Sequence, residues 1–319
     1  FFFQAEAGIR ASVASRGLGD VYKRQELSHI SVRTNRRGTP NAFVLDALEM
    51  FTPFEGKLVQ LEVDCAGPII KEVTPSEAKA FWATKRPTLS TLPQLANDYK
   101  GLPTLGEVLG MDGTAEMPIE ARFGGKVSGF ARLQGLLTGS EVEQYQELGF
   151  AIPVRHYLDF MRSNQITSAL DASRLVTYED YLLELFADGE FQTNPRLRFD
   201  ALKALRDHIE DESIVDPGLV ETIGRRILDV FNAPQERVRF RSSSNVEDAA
   251  EFNGAGLYDS TSVCVADDFD NDTSGPSLCQ AFKNNERGVA RGLQRVWGSL
   301  WNFRAYEERE FYGIPQDLA

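Results

Sequence analysis

The chain has 319 residues, of which 42% are hydrophobic and 25% are charged. This length and composition suffice for two domains that each bury a core. The formal net charge of −13 argues against a nucleic-acid partner and against an anionic membrane, because either would require an excess of Lys and Arg on at least one face.

The cysteine content favours a reducing compartment. Cys65, Cys264 and Cys279 are odd in number and widely spaced, and they include no CxxC pair. The sequence therefore predicts neither a disulfide framework nor a zinc site, and it favours a cytoplasmic location. No apolar run approaches the roughly 20 residues that span a bilayer, so no membrane partner is expected.

The first 25 residues are expected to be foreign to the protein. "SRGLGDVYKRQ" is similar to the translated sequencing adapter of transposase-based libraries, and "FFFQAEAGIR" to the flow-cell primer of the same libraries. Residues 1–25 are therefore interpreted as a sequencing-adapter artefact that is not part of the protein's fold. On this interpretation the natural sequence begins within a domain near Glu26, and it stops within another domain at Ala319.

The next part of the chain predicts a small α/β unit. Ser28 as an N-cap and Gly38 as a stop predict a short helix with His29 at its N-terminus. "NAFVLDAL" (41–48) predicts a strand that runs into a turn. Residues 56–64 alternate apolar and polar side chains, which predicts a half-buried strand.

A helix and a connector are predicted next. Thr74 and Glu77 have capping-box spacing, and Pro75 stands at the first position of a predicted helix. The passage 87–118 is rich in Pro, Thr, Leu and Gly, which predicts a connector between domains.

A second domain is expected from Ile119 onward. "GGK" (124–126) precedes a predicted helix whose apolar face holds Val127, Phe130 and 133–137. "LGFAIPV" (148–154) predicts a buried strand, and "RHYLDFM" begins a helix. Three helices are predicted over 178–187, 198–210 and 217–231, and a strand over 237–240 follows them. One long helix is predicted from Glu286, because it carries at helical spacing the apolar residues Val289, Leu293, Val296, Trp297 and Leu300.

The stretch "RFRSSSNVEDAAEFNGAGLYDS" (239–260) has the chemistry of a phosphate cradle. A strand that ends in Arg241 and three serines presents a guanidinium, hydroxyls and backbone N–H groups, and Gly254-Ala255-Gly256 permits close backbone approach. Glu247 and Asp248 would repel a phosphate, so we expect them to hold Arg241 or a backbone turn. A polar hairpin loop is the alternative reading.

Two further candidates are weaker alone. Gly124-Gly125-Lys126 combines close backbone approach with a point charge, although it is not a Walker loop, and an ordinary surface lysine is the alternative. His29 at a helix N-terminus would favour an anion on the ring over an imidazolium, which suits a nucleophile that receives a phosphoryl group. A structural histidine is the alternative there.

These segments together resemble a known family. "GGKVSGFARL", "GFAIPVRHYLDFM", "FRSSSNVEDAAEFNGAGLYDS" and "VWGSLWNFRAYEERE" occur in the order of the ATP-grasp nucleotide-binding domain of the pyruvate phosphate dikinase and phosphoenolpyruvate synthase family. "LSHISVRTNRRGTPNAF" resembles the family's phosphohistidine swivelling domain. The placement of the histidine unit first resembles glucan water dikinases. The resemblance covers nearly all of residues 26–319.

The resemblance implies an α/β (α+β) fold. It divides the chain into a truncated phosphohistidine domain over 26–74, a connector over 75–118, and the N-terminal part of an ATP-grasp domain over 119–319. The missing half of the ATP-grasp domain, with its magnesium-binding carboxylates, is expected to lie beyond Ala319. This polypeptide is therefore expected to be inactive by itself, whereas its parent is expected to be an enzyme.

The resemblance also implies roles for single residues. Lys126 and Arg241, with Ser242 and Ser243, would contact the phosphates of ATP, and the segment Gly254, Ala255 and Gly256 would cover them. His29 would accept the phosphoryl group and carry it to an acceptor, with Mg²⁺ as a cofactor. The family often has Arg six residues after the histidine, where this chain has Asn35, so the local phosphate contacts depart from the pattern.

The function expected from these residues is that of an ATP-dependent dikinase, a phosphotransferase. The parent would convert ATP and an acceptor into AMP, phosphorylated acceptor and phosphate through phosphorylated His29. The acceptor, pyruvate or a glucan-like hydroxyl compound, is not identified by the sequence. The alternative is a non-catalytic nucleotide-binding regulatory module of the same fold.

Other features receive structural interpretations. "ADDFDNDTSG" (266–275) is rich in oxygen ligands but lacks the full calcium-loop pattern, so an acidic surface insertion is favoured over a metal site. Trp297 and Trp301 are expected in the core. Arg304 and Arg309 could be solvated or could face a cleft.

Overall fold

The chain forms two compact units in the computed structural model, Phe1–Thr88 and Leu89–Ala319. Helices and small antiparallel sheets make up both units, in agreement with the expected mixture of α and β structure. The structure describes residues 2–4, 47–64, 66–85, 87, 94–111, 117–146, 148–232, 235–247, 252, 254, 256–270, 275–282 and 284–318.

The first unit contains a three-stranded antiparallel sheet in the order β1-β2-β3. These strands are β1 (Phe2–Gln4), β2 (Leu58–Asp64) and β3 (Gly67–Glu72). The alternation in 56–64 therefore predicted β2 correctly. Phe2 pairs with Gln60, so three residues of the segment interpreted as an adapter artefact form an edge strand. The adapter interpretation of residues 1–25 stays a prediction.

Two helices accompany this sheet, α1 (Ala47–Phe51) and α2 (Pro75–Lys85). The capping box of α2 is confirmed, because the Thr74 N–H donates to Glu77 at 2.8 Å and the Glu77 N–H donates to the Thr74 hydroxyl at 3.3 Å. The strand predicted over 41–48 is wrong at its end, where α1 begins. Its first six residues, like the helix predicted around His29, lie outside the described residues.

The second unit is mainly helical. Its helices are α3 (Leu105–Met111), α4 (Ile119–Leu137), α5 (Val154–Ser163), α6 (Tyr178–Ala187), α7 (Gly189–Thr193), α8 (Pro195–Asp211), α9 (Pro217–Phe231), α10 (Val289–Gly298) and α11 (Phe303–Tyr312). Its strands are β4 (Gln165–Thr167), β5 (Leu175–Thr177), β6 (Arg237–Arg241) and β7 (Ser260–Cys264). Each pair, β4 with β5 and β6 with β7, is antiparallel.

The main core of this unit lies between its helices and β6–β7. Ile223 and Ile227 of α9 and Leu293 of α10 are buried in it, as their helical spacing predicts. Trp297 and Trp301 also belong to it, which confirms their interpretation as core residues. Helix α10 can approach β6–β7 closely because residue 292 is glycine, where a Cβ would collide with Val263 and press on Phe240.

Part of the passage 87–118, which its composition predicts to be a connector, belongs to the second unit. Residues 94–111 pack within the second unit: the Ala96 N–H donates to the Ala121 carbonyl at 2.9 Å, and Val108 of α3 is fully buried. Thr104 and Glu107 form a second capping box at the start of α3. Pro103 stands directly before this capping box, at the entry to the helix.

Three other element predictions need correction. Residues 148–154 form no strand, because the backbone of Ala151 bonds to Pro103 and only Phe150 makes an isolated bridge to Thr104. The long helix from Glu286 is broken into α10, a 3₁₀ turn and α11. In α4, Leu133 and Leu136 are 49% and 79% exposed, so they do not belong to its buried face.

The prediction that no disulfide forms is wrong. Cys264 at the end of β7 is bonded to Cys279, with a Cα–Cα distance of 5.8 Å. The loop 275–282 returns to the end of β7 and brings the two cysteines together. Their separation of 15 residues in the sequence does not by itself indicate this return. The pairing removes the argument from cysteine content for a reducing compartment. Cys65 lies outside the described residues.

Within the described part of the chain, no helix combines the length and the apolar character needed to cross a bilayer.

Candidate phosphate-binding site

A glycine kink in α4 brings two distant segments together. Gly124 has φ 82° and ψ 165°, which interrupts the helix and is accessible only to glycine without strain. A Cβ at this position would collide with the carbonyl of Ser243. "GGK" therefore lies at a kink in α4, with a helical segment following it as predicted, and the close approach that its glycines permit is to the segment after β6.

The serines after β6 bond to the backbone of α4. The Ser243 hydroxyl donates to the Phe123 carbonyl at 2.8 Å and accepts from the Val127 N–H at 3.0 Å. The Gly125 N–H donates to the Ser244 carbonyl at 2.9 Å. These bonds replace helical partners that the kink removes, so Ser243 has a structural role whatever else it contacts.

Lys126 is held by a buried carboxylate. Its Nζ lies 2.6 Å from Glu247 Oε1 and 3.0 Å from the Ser242 carbonyl, and a longer contact of 3.4 Å reaches the Ser242 hydroxyl. Glu247 is only 2% exposed, whereas Lys126 is 24% exposed. The second oxygen of Glu247 accepts from the Ser244 N–H at 3.0 Å. Glu247 thus fixes the turn, as expected, but its cationic partner is Lys126 and not Arg241.

The glycine segment lies behind this ion pair. Gly254 is buried, and a Cβ there would collide with Glu247 and press on Tyr258. Gly256 has φ 73°, which completes a turn that most other residues could not adopt without strain. Neither glycine lines the neighbouring cavity, and Ala255 lies outside the described residues. Gly254 therefore packs against Glu247 of the ion pair, on the side away from the cavity lining.

Arg241 is the last residue of β6, where it pairs with Ser260 of β7. Its side chain is exposed, and its guanidinium makes no hydrogen bond or ion pair with any described residue. The sequence grouped Lys126 and Arg241 as equivalent phosphate contacts. The structure distinguishes them, because the donors of Lys126 are occupied whereas those of Arg241 are not.

A cavity of about 560 Å³ borders both residues. Its polar end is formed by Lys126 and by the run from Arg241 to Asn245. Its other walls are mostly apolar, and they include Val127, Phe130, Phe150, Ile152, Val154, Phe231, Leu293, Val296 and Trp297. This volume and mixture of walls are typical of sites for small organic ligands.

Tyr157 lines this cavity, and its side chain is buried. It accepts a hydrogen bond from Trp301 Nε1 at 3.0 Å. Burial raises the pKa of Tyr157 well above its usual value, so the hydroxyl stays protonated and neutral. Tyr157 therefore has no readily lost proton.

Sequence reasoning missed two arginines beside this site. Arg237 and Arg239 alternate with Val238 and Phe240 along β6, and all of these residues line the cavity. The period-2 pattern of "RVRFR" was the available signal, because it places the three arginines on one face of the strand. His29 lies outside the described residues.

The other polar candidates have structural partners. Arg309 is buried, donating to Gln316 Oε1 at 2.8 Å and lying over the Trp301 ring, so it neither is solvated nor faces the cavity. Arg304 pairs with Asp259 at 2.9 Å. His156 lies 2.9 Å from the Lys100 carbonyl, and His208 lies 2.8 Å from the Tyr178 hydroxyl.

The acidic segment 266–275 is not simply a solvated insertion. Asp267 is buried and accepts from the N–H groups of Leu278 and Arg287. Asp268 accepts from the Val289 N–H, so it caps α10. Burial raises the pKa of Asp268 to about 6. The hydrogen bond from Val289 lowers this pKa, whereas the charges of the neighbouring aspartates raise it further. The carboxylates therefore anchor a loop and a helix start.

No protein-family model, no curated protein and no solved structure matches this chain.

Proposed function

We propose that the second unit is a nucleotide-binding domain of the ATP-grasp type and that the protein serves an ATP-dependent dikinase. The triphosphate lies at the polar end of the cavity, against Arg241 and the turn after β6. The base and ribose lie against the apolar walls. The first unit, in this proposal, belongs to a phosphohistidine domain that carries the phosphoryl group.

One observation carries the proposal. Lys126 and Arg241, which are separated by more than a hundred positions, line the same cavity at its polar end. A cavity that joins cationic and N–H-rich surface to a large apolar wall is suited to a ligand with an anionic tail and a planar, weakly polar head. A nucleoside triphosphate is the common metabolite class with that combination.

The geometry assigns different tasks to the two cations. Arg241 presents free N–H donors in the planar arrangement that suits phosphate oxygens. Lys126 holds Ser242 and Glu247 in place, so a phosphate could bind its ammonium only by replacing one of these partners. We therefore propose Arg241 as the direct phosphate contact and Lys126 as the residue that positions the turn.

The described residues at this end of the cavity do not fit a resident Mg²⁺. Magnesium prefers carboxylate oxygens, but the polar end offers a lysine, an arginine and hydroxyls. Glu247 is occupied by Lys126, and Glu236 is the only carboxylate among the described residues that line the cavity.

Arg241→Gln tests the nucleotide site. Loss of a charge-assisted contact should weaken ATP binding by at least about tenfold, measured by isothermal titration calorimetry on the whole chain. Arg225→Gln is the matched control, since Arg225 is an exposed arginine of α9 that is paired with Glu221. Equal ATP affinities for wild type and Arg241→Gln, or no ATP binding by the wild type, would contradict the proposal.

Transfer to His29 is a separate step of the proposal. The imidazole nitrogen attacks the β-phosphorus of ATP, the α,β-phosphoanhydride bond breaks, and AMP leaves with the β- and γ-phosphates still on the ring. Water then cleaves the β,γ-phosphoanhydride bond and carries away the γ-phosphate, so that one phosphoryl group stays on the histidine. In the full-length gene product, His29→Ala should abolish ³²P labelling from ATP labelled at the β-position. Undiminished labelling would exclude His29. ATP binding without labelling of the wild type would instead favour the regulatory module.

A further inference from the structure

The strand that borders the cavity carries a row of cations. Arg237, Arg239 and Arg241 occupy alternate positions of β6, and all three side chains are exposed and line the cavity. Alternate residues of a strand lie on one face about 7 Å apart. The opposite positions on β7 are Cys264, Ser262 and Ser260, none of which is a carboxylate.

The absence of carboxylate partners sets these arginines apart. Within the described residues, Arg237 donates to Gln280 at 3.2 Å and Arg239 to the Ser262 hydroxyl at 3.3 Å, while Arg241 has no such partner. With the exceptions of Arg287 and the buried Arg309, every other described arginine forms an ion pair. These paired arginines are Arg122, Arg132, Arg155, Arg162, Arg174, Arg196, Arg198, Arg206, Arg225, Arg226, Arg291, Arg295 and Arg304.

This contrast is informative because the protein is acidic. Because the net charge is −13, carboxylates are abundant, and most of the described arginines form an ion pair with one. Neighbouring cations repel one another in the absence of counter-charge. A strand face that keeps three of them without a carboxylate is arranged for an anion that comes from solution.

We propose that Arg239 is a second phosphate-binding residue and that, with Arg241, it binds two different phosphates of one polyphosphate chain. The site then distinguishes ligands by the number of their phosphates: triphosphate binds better than diphosphate, and monophosphate binds without help from Arg239. Arg239 is the better second contact because its only described bond is a long one to a hydroxyl. Arg237 is held by Gln280 in the loop that is joined to β7 by the disulfide.

This inference rests on the proposed nucleotide site, but its ligand chemistry is more general. The tail of ATP and an inorganic polyphosphate present the same charged groups to β6. The two sources are distinguished by the apolar walls, which add affinity only for a ligand with a base. A comparison of ATP, ADP, AMP and inorganic tripolyphosphate therefore separates the two parts of the site.

The test is calorimetric titration of these four ligands into the whole chain and into three variants, Arg239→Gln, Arg241→Gln and Arg225→Gln. Glutamine keeps the length and polarity of an exposed side chain, and thermal unfolding of each variant checks that the fold is unchanged. Arg239→Gln should weaken the binding of ATP and of tripolyphosphate by at least about tenfold. It should change AMP affinity by less than about twofold, and Arg225→Gln should change nothing.

The outcomes separate this inference from the proposed function. If Arg241→Gln weakens ATP binding but Arg239→Gln does not, Arg239 is not a subsite although the nucleotide site stands. Equal losses for ATP and AMP would overturn the recognition of chain length. Tripolyphosphate binding that depends on Arg239, without any ATP binding, would support the subsite and reject the nucleotide site. A wild type that binds neither ligand would reject both.

Discussion

Lys126 and Glu247 form the ion pair that fixes the geometry beside the cavity. Glu247 is almost completely buried, so its charge requires a partner, and Lys126 is the only cation that the described residues place on it. Removal of one member of such a pair leaves an uncompensated charge in a poorly solvated site. The pair therefore contributes to stability as well as to the site.

Lys126→Met should lower the free energy of unfolding by about 3 kcal/mol, the lower end of the range for buried pairs, because Lys126 keeps a quarter of its side chain in solvent. The double variant Lys126→Met/Glu247→Gln should recover most of this loss, since no charge is then buried alone. Urea denaturation measures both values.

The control is Lys203→Met, which removes an exposed lysine paired with Asp207 within α8. Such a pair contributes less than about 0.5 kcal/mol. If Lys126→Met costs no more than this control, Glu247 is not held by Lys126 and the account of the turn is wrong. ATP affinity of the double variant then shows whether Lys126 also contacts the nucleotide.

At the scale of elements, the capping box of α3 shows how a local pattern stabilises the rim of the site. The Thr104 N–H donates to Glu107 Oε2 at 2.6 Å, and Arg226 of α9 donates to the same oxygen at 3.0 Å. The bond from the Thr104 backbone, followed by that from its hydroxyl, lowers the pKa of Glu107 below its ordinary value of 4.5. The charged carboxylate is therefore the stabilising form.

Glu107→Ala should destabilise the protein at pH 7 by about 0.5–1 kcal/mol, as the loss of a cap does. Because the folded-state pKa is depressed, this contribution is complete above pH 4.5 and is lost as the pH falls through the folded value. Denaturation at pH 7 and at low pH should therefore show a difference that disappears in acid. Glu221→Ala on α9 is the control, and a pH-independent difference for Glu107→Ala would contradict the assignment.

Local signals predicted the elements whose causes are local. The capping box of α2 and the apolar stripe of α9 depend on neighbours within a few residues, and both are confirmed. The sequence predicted a strand over 148–154, whereas the backbone there is irregular. Local patterns could not indicate this, because the backbone partners of this run come from the distant residues 103–105. The break after α10 also has a distant cause, since Asn302 and Arg304 bond to the carbonyl of Leu257.

At the scale of the whole molecule, the sequence could group the site residues but could not assign their partners. The glycine pair at 124–125 correctly indicated close backbone approach, but its partner is the turn after β6. Lys126 was predicted to contact phosphate, but its hydrogen bond to Glu247 depends on a contact across 121 residues. The arginines of β6 were visible as an alternating pattern and gained significance only when nearly all other arginines proved to be paired.

The disulfide illustrates the same limit. Cysteine counting predicted no pairing, because odd numbers and wide spacing usually indicate free thiols. The bond between Cys264 and Cys279 follows from the return of the loop 275–282 to the end of β7. That return also places Gln280 beside Arg237 at one end of the arginine row. The contact of this loop with β7 thus accounts both for the pairing of the two cysteines and for the position of Gln280 beside Arg237.

The most direct test of the central claim is a crystal structure of this chain with a non-hydrolysable ATP analogue. The account predicts phosphate oxygens about 2.7–3.2 Å from the guanidinium nitrogens of Arg241, with the base against the apolar wall that includes Phe150 and Trp297. An analogue bound elsewhere on the protein, or one seated in the cavity with its phosphates directed away from β6, would contradict it.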